Sequence, residues 1–159
     1  MDVALCHSLV AVTVVALAIG AFQPACAGMA LLLNLVVCTI VSSATGYGFN
    51  FLLLASIDMI TAVAILMLPR SRCQILLAGT YAFGLACHAA FAALGAPKSA
   101  EDAYWLALYY MAWGQLWLTV FWTGGELVSM VRSGIYPWSR LYARWHLSRQ
   151  VDKHGKAKG

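Results

Sequence analysis

The chain has 159 residues, of which 62% are hydrophobic and only 10% are charged. A soluble domain usually carries about 25% charged residues, so this composition argues against a water-soluble enzyme, a disordered chain and a nucleic-acid-binding domain. The net charge of +4 is concentrated in residues 132–159, which hold most of the Lys and Arg side chains. We therefore expect an all-α protein that has lipid as its main solvent.

The first half of the chain contains three apolar runs, at residues 3–22, 28–45 and 51–68. A spanning helix needs about 20 mainly apolar residues, and each run is close to that length. The run 28–45 is at the short end for a span, so a re-entrant segment there is an open alternative that gives four spans instead of five. The glycines of residues 46–50 favour a tight turn, which predicts a helical hairpin.

Asp58 falls near the middle of the third run, between Ser56 and Thr61. An ionisable side chain at membrane depth is costly and usually faces other helices or water. Two interpretations are equally supported. One is a proton or cation site that faces a pore or transport path, and the other is a neutral carboxyl group hydrogen-bonded between two helices.

The fourth run, at residues 74–96, carries a ladder of small residues and a histidine. Small residues four positions apart allow helices to approach closely in lipid, so the ladder predicts a packing face or an oligomer interface. Its members are Ala78, Ala82, Ala86 and Ala90. We interpret His88 as a hydrogen-bonded core residue, and a haem held by His7 and His88 is the alternative left open.

The fifth run, at residues 101–131, begins after a sequence that resembles a capping box, with Ser99 at the N-cap and Asp102 at N3. Farther along, polar or large side chains recur every three or four residues and so share one helix face. They are Gln115, Thr119, Trp122, Glu126 and Ser129. This face should meet other helices or a water-filled path, and we hold Gln115 and Glu126 as pore candidates. For Glu126, an ion pair with Arg70 or Arg72 is the favoured interpretation.

The basic tail, at residues 132–159, contains a predicted amphipathic helix near 138–149. Aromatic residues lie on one side and cationic residues mostly elsewhere, which is typical of a helix in the membrane surface that contacts anionic lipid headgroups. The residues assigned to this surface are Trp138, Arg140, Arg144, Trp145 and Arg149.

Charge placement predicts the orientation of the chain. The loop at residues 69–73 and the tail are basic, whereas the loop at residues 97–102 is net acidic. The positive-inside rule places the basic segments in the cytoplasm. A multi-pass protein of the inner (plasma) membrane follows, with five spans, the N-terminus outside and the C-terminus inside.

A short chain with clustered spans, an external N-terminus and a basic tail from Arg132 to Lys158 resembles the small phage holins. This resemblance implies oligomerisation in the inner membrane and permeabilisation of the bilayer. Two other hypotheses remain open: a small carrier or ion channel that uses Asp58, and an accessory or scaffold subunit of a membrane complex.

No known catalytic or cofactor-binding motif is present, so we expect neither enzymatic activity nor a bound cofactor or metal. The expected partners are the lipid bilayer and either further copies of the chain or another membrane protein. Nucleic acid is not an expected partner, because no reader module stands beside the basic tail.

Overall fold

The computed structural model of the chain describes residues 3–45, 51–95 and 98–134, which form helices and contain no strand. The prediction of an all-α fold is confirmed for this part of the chain. The helices are α1 (Val3–Ala18), α2 (Phe22–Thr45), α3 (Phe51–Leu66), α4 (Arg72–Ala93) and α5 (Lys98–Ser133).

Helix α2 begins at Phe22, well before residue 28, where the apolar run suggested its start. The Gln23-Pro24 pair does not interrupt the helix, because the first amides of a helix have no intrahelical partner and proline is tolerated there. Gly20, with a φ of 73°, makes the turn that precedes it. The 24 residues of α2 span about 36 Å, longer than a hydrocarbon core of about 30 Å. The argument for a re-entrant segment, which was the short length of the run at residues 28–45, therefore does not apply to α2.

Helices α3 and α4 run antiparallel and are joined by a turn that Gln74 stabilises. Its backbone N–H donates to the Ser71 hydroxyl while its side-chain oxygen accepts from the Ser71 N–H, which forms a capping box. Its side-chain Nε2 also donates to the carbonyls of Ile65, Leu66 and Leu68, at 2.9–3.0 Å. The Ile65 carbonyl also accepts from the Leu68 N–H at 3.1 Å, and Gln74 gives further donors to the carbonyls at the end of α3 and in the turn, where the helix itself supplies too few.

The capping box predicted at the start of α5 is not formed as expected. The helix begins at Lys98, so Ser99 lies within the first turn and is not the N-cap. A helical Ser99 does not have the extended backbone that an N-cap requires.

Helix α5 closes the bundle. It packs against α4, its neighbour in the chain, and also against α1 and α2. Ala16, near the end of α1, belongs to the same buried cluster as Met130, near the end of α5, so these two helices run parallel. Residues from all of the helices except α1 also surround a polar centre, described below.

Two helices are long and apolar enough to cross a membrane: Phe22–Ala44 and Arg72–Ala93. Only 22% and 28% of the residues in their most apolar windows are buried inside the protein. The core helix of a soluble protein is mostly buried, whereas several large apolar side chains of these helices are exposed, among them Leu33, Ile40, Leu76 and Phe83. Helices α1 and α3 are apolar but shorter.

The predicted amphipathic helix near 138–149, with Trp138, Arg140, Arg144, Trp145 and Arg149, lies outside the described residues. The turn predicted at 46–50 lies outside them as well.

Candidate functional site

Asp58 occupies the centre of a polar cluster inside the apolar bundle. It is only 6% exposed. Its Oδ1 atom accepts a hydrogen bond of 2.8 Å from Nδ2 of Asn34 on α2, and the same amide nitrogen lies 3.0 Å from Oγ1 of Thr61. Asn34 thereby links α2 to α3 and fixes the orientation of the carboxyl group.

His88 of α4 connects Asp58 to Tyr104 of α5. Its Nε2 atom lies 3.1 Å from Oδ2 of Asp58, and its Nδ1 atom lies 2.6 Å from the Tyr104 hydroxyl. His88 is 3% exposed and Tyr104 is 7% exposed. The three side chains form a continuous hydrogen-bonded chain across three helices.

This chain can hold a proton in more than one place without moving its heavy atoms. An ionised Asp58 only accepts hydrogen bonds, so Nε2 of His88 then carries a hydrogen, and Nδ1 either accepts from the Tyr104 hydroxyl or, in the imidazolium, donates to it. A protonated Asp58 instead donates to Nε2, while Nδ1–H donates to Tyr104. Every state satisfies both contacts, which is the property required of a proton site or relay.

A cavity of about 300 Å³ reaches this centre. Asp58 and His88 line it together with Asn34, and all five helices contribute to its wall. Its wall residues come from the first half of α1, α3 and α5 and from the second half of α2 and α4. In an alternating bundle these halves meet at one end, so the cavity lies towards the end at which α2 and α4 finish and α3 and α5 begin.

The helical period explains why these side chains meet. On α2, Asn34 and Cys38 are one turn apart, and the Cys38 thiol lies 3.7 Å from Oδ1 of Asn34. On α4, the buried residues recur at spacings of three and four and so share one face. They are Gln74, Leu77, Tyr81, Gly84 and His88. Gly84 lets Met111 of α5 pack closely there, because an added Cβ would lie 2.9 Å from the end of the Met111 side chain, which would have to move.

The polar stripe predicted on α5 divides into a buried and an outer part. Gln115, Thr119 and Trp122 are buried, whereas Glu126 is half-buried and Ser129 is exposed. Gln115 lines the cavity and donates through Nε2 to Oγ1 of Thr80. The Thr119 hydroxyl bonds to the carbonyl of Gln115 in its own helix, not to a neighbouring helix.

Glu126 does not belong to the polar centre, since it is not among the residues that line the cavity. Within residues 3–45, 51–95 and 98–134, the one contact at ion-pair distance joins His88 and Asp58, so the pair of Glu126 with Arg70 or Arg72 is not formed there.

The alanine ladder of α4 turns away from the bundle. Ala82, Ala86 and Ala90 are exposed and Ala78 is half-buried. These residues therefore do not form the packing face of α4 within one chain, and a contact between copies remains the interpretation that fits their position.

The sequence identified Asp58 but not the residues that complete its site. Asn34 and Tyr104 were missed, although an amide within the apolar run at residues 28–45 is itself an unusual signal. His88 is hydrogen-bonded in the core, and His7 lies exposed on α1, so the two histidines do not face each other across the site. In the described parts of the chain, no group of three or more His, Cys, Asp or Glu residues is arranged to hold a metal ion.

The chain matches no protein-family model, no curated protein and no solved structure.

Proposed function

We propose that the chain is a small multi-pass membrane protein that carries or conducts protons or small cations, with Asp58 as the binding group. The observation that carries this proposal is the chain Asp58–His88–Tyr104, which is buried in an apolar bundle yet reached by a cavity. A carboxyl group at membrane depth is costly, and its usual roles are proton relay and ion passage.

The proposed membrane arrangement has five spans, with the N-terminus outside and the C-terminus in the cytoplasm. It is supported by the outward-facing apolar side chains of every helix. Helix α5 adds an uncharged stretch at residues 103–125, whose many Trp and Tyr residues lower its hydropathy without making it unsuited to lipid. In this orientation the cavity lies towards the outer leaflet.

The proposal is tested by proton flux into liposomes that contain the purified protein and a trapped pH-sensitive dye. A potassium diffusion potential supplies the driving force. Asp58→Asn keeps the shape of the side chain and can still accept from Asn34, so we expect a folded protein whose flux falls to the protein-free rate. Asp102→Asn is the matched control, because Asp102 is an exposed acid outside the cavity and its loss should leave flux unchanged.

His88→Gln extends this test to the relay. Glutamine preserves polarity but cannot take up and release a proton at two ring nitrogens, so proton flux should fall while size-exclusion behaviour and helicity stay unchanged. Wild-type flux in folded Asp58→Asn protein would exclude Asp58 as the binding group and overturn the proposal.

A second candidate function is the holin-like one, in which several copies permeabilise the inner membrane. The exposed ladder of Ala82, Ala86 and Ala90 favours it, because small residues on an outer helix face permit close contact between copies. Release of a trapped dye such as calcein separates the candidates, since an oligomeric pore releases the dye whereas a carrier passes protons alone. Induced expression in bacteria should then also collapse the membrane potential.

An accessory or scaffold role predicts a fixed protein partner. Purification in mild detergent would retain that partner in constant proportion. A monodisperse protein that transports protons by itself would argue against this third role.

A further inference from the structure

We propose that the cavity beside Asp58 binds a small organic ammonium ion with an apolar body. This inference rests on the proposed function, because it assigns a substrate class to the same carboxylate. Three properties of the cavity support it: the sign of its charge, the composition of its wall and its size.

The charge of the cavity favours a cation. Among the described residues that line it, Asp58 is the one acid and no Lys or Arg occurs. His88, the one basic lining side chain, leaves the charge of the cavity negative when it donates to Asp58 as a neutral imidazole. Asn34 and Gln115, which also line the cavity, both use their amide nitrogens as donors to other side chains. The carbonyl oxygen of Gln115 is thus left as an acceptor for an N–H group of a ligand, whereas that of Asn34 already accepts from the Cys38 thiol.

The wall of the cavity favours an organic cation over a metal ion. Calcium and magnesium require several oxygen ligands around them, whereas most of this wall is hydrocarbon. Leu5, Leu35, Leu54 and Leu108 can surround an apolar group. Trp105 and Tyr109 add aromatic rings, whose faces attract ammonium groups, most strongly where water is excluded.

The size of the cavity limits the ligand. Ligand pockets run from about 300 to 1,000 Å³, so a cavity of about 300 Å³ fits a molecule smaller than most drugs. Phenethylamine, which combines one ammonium group with one aromatic ring, is a suitable probe. The expected pose places its nitrogen at Asp58 and its ring among the leucines.

The test is calorimetric titration of the purified full-length protein in detergent with three ligands of matched size. We expect phenethylamine to bind about tenfold or more tightly than 2-phenylethanol, which lacks the charge, and phenylacetate to bind weakest. Asp58→Asn should reduce phenethylamine affinity to that of the alcohol.

A second pair of variants tests the same cavity at an aromatic side chain, so the test remains valid if Asp58→Asn misfolds. Tyr109 lines the cavity and is 44% exposed, whereas its neighbour Tyr110 is 65% exposed and lies outside it. Tyr109→Leu should weaken amine binding several-fold, and Tyr110→Leu should leave it unchanged.

Equal binding of the amine and the alcohol, preference for phenylacetate, or no binding at all would each overturn the inference. Proton flux measured in amine-free liposomes tests the proposed function separately from amine binding, so that failure of one proposal can be told from failure of the other. Normal flux without amine binding would reject the substrate class alone, whereas amine binding without flux would reject transport and retain the binding site.

Discussion

Gln74 ties the end of α3 to the start of α4, and its contribution is testable by substitution. Gln74→Leu removes the donor to three carbonyls as well as half of the capping box. A buried group left without its hydrogen bond costs about 1–3 kcal/mol, so we expect the free energy of unfolding in detergent to fall by at least that amount.

Ser71→Ala is the comparison for Gln74→Leu. It removes the capping box but leaves the three carbonyl contacts in place, so its cost should be about 1 kcal/mol, the usual value of an N-cap. Equal losses in the two variants would show that the carbonyl contacts of Gln74 contribute nothing to stability.

Gly28 permits the close approach of α2 to α1. A Cβ added there would overlap Oγ1 of Thr13, which is 2% exposed and bonded to the carbonyl of Leu9. Gly28→Ala should therefore lower the free energy of unfolding by about 1–3 kcal/mol, the usual cost of overpacking.

Gly79→Ala is the matched control for Gly28→Ala, since Gly79 is an exposed helical glycine with no atom within 4 Å of an added Cβ. It should be neutral or stabilising by up to about 1 kcal/mol through helix propensity. A similar loss in both variants would indicate that glycine flexibility, not the contact with Thr13, is what matters.

The sequence marked Asp58 because a charge in an apolar run is a local anomaly that one segment displays by itself. The partners of Asp58 could not be predicted from the sequence, because Asn34 and Tyr104 are distant in sequence and contact Asp58 only once the helices have packed. Spacing on α5 correctly grouped Gln115, Thr119 and Trp122 on a buried face. It failed at Ser129, which is exposed although the next residue, Met130, is buried.

At the scale of the helix, α4 shows that the helical period groups residues on one face but does not say which face is buried in the bundle. Its alanine ladder and its buried face both obey the helical period. Only the buried face contains a large polar side chain and a glycine that meet α3 and α5. In lipid, an outer face is also apolar, so the contrast between polar and apolar sides that orients a soluble helix is missing.

Adjacent leucines on α4 test this assignment of faces. Leu77 is fully buried and Leu76 is 58% exposed. Leu77→Ala leaves a cavity in the main core and should cost about 2–5 kcal/mol of unfolding free energy. Leu76→Ala exchanges one exposed apolar side chain for a smaller one and should cost about 0.5 kcal/mol or less.

Denaturant titration of both leucine variants in the same detergent provides the measurement. A larger loss of unfolding free energy for Leu76→Ala than for Leu77→Ala would show that the face of α4 assigned as exposed is the buried one. Such a result would also remove His88 from the interior and separate it from Asp58.

At the scale of the whole molecule, the apolar runs located the helices because hydrophobic length is a local property of the chain. Helix ends were harder to predict from the sequence. The proline at residue 24 looked like a break between helices, yet it occupies the first turn of α2. The closure of the bundle by α5 against α1 is a long-range contact that no local pattern specifies, and it is this closure that encloses the cavity.

The proposed crossing of the membrane by α4 has a direct test at its two ends. Its 22 residues span about 33 Å, enough for a bilayer core of about 30 Å. Arg70, before the helix, and Leu94, after it, are both exposed. A single cysteine is introduced at either position after the five native cysteines have been replaced.

A membrane-impermeant maleimide should label Leu94→Cys in intact cells and Arg70→Cys only after permeabilisation, because the proposed orientation places the basic loop at residues 69–73 in the cytoplasm. The reverse pattern would invert the orientation and place the cavity towards the cytoplasm. Labelling of both positions from one side would show that α4 does not cross the bilayer, and Asp58, which is held to α4 through His88, would then not lie at membrane depth.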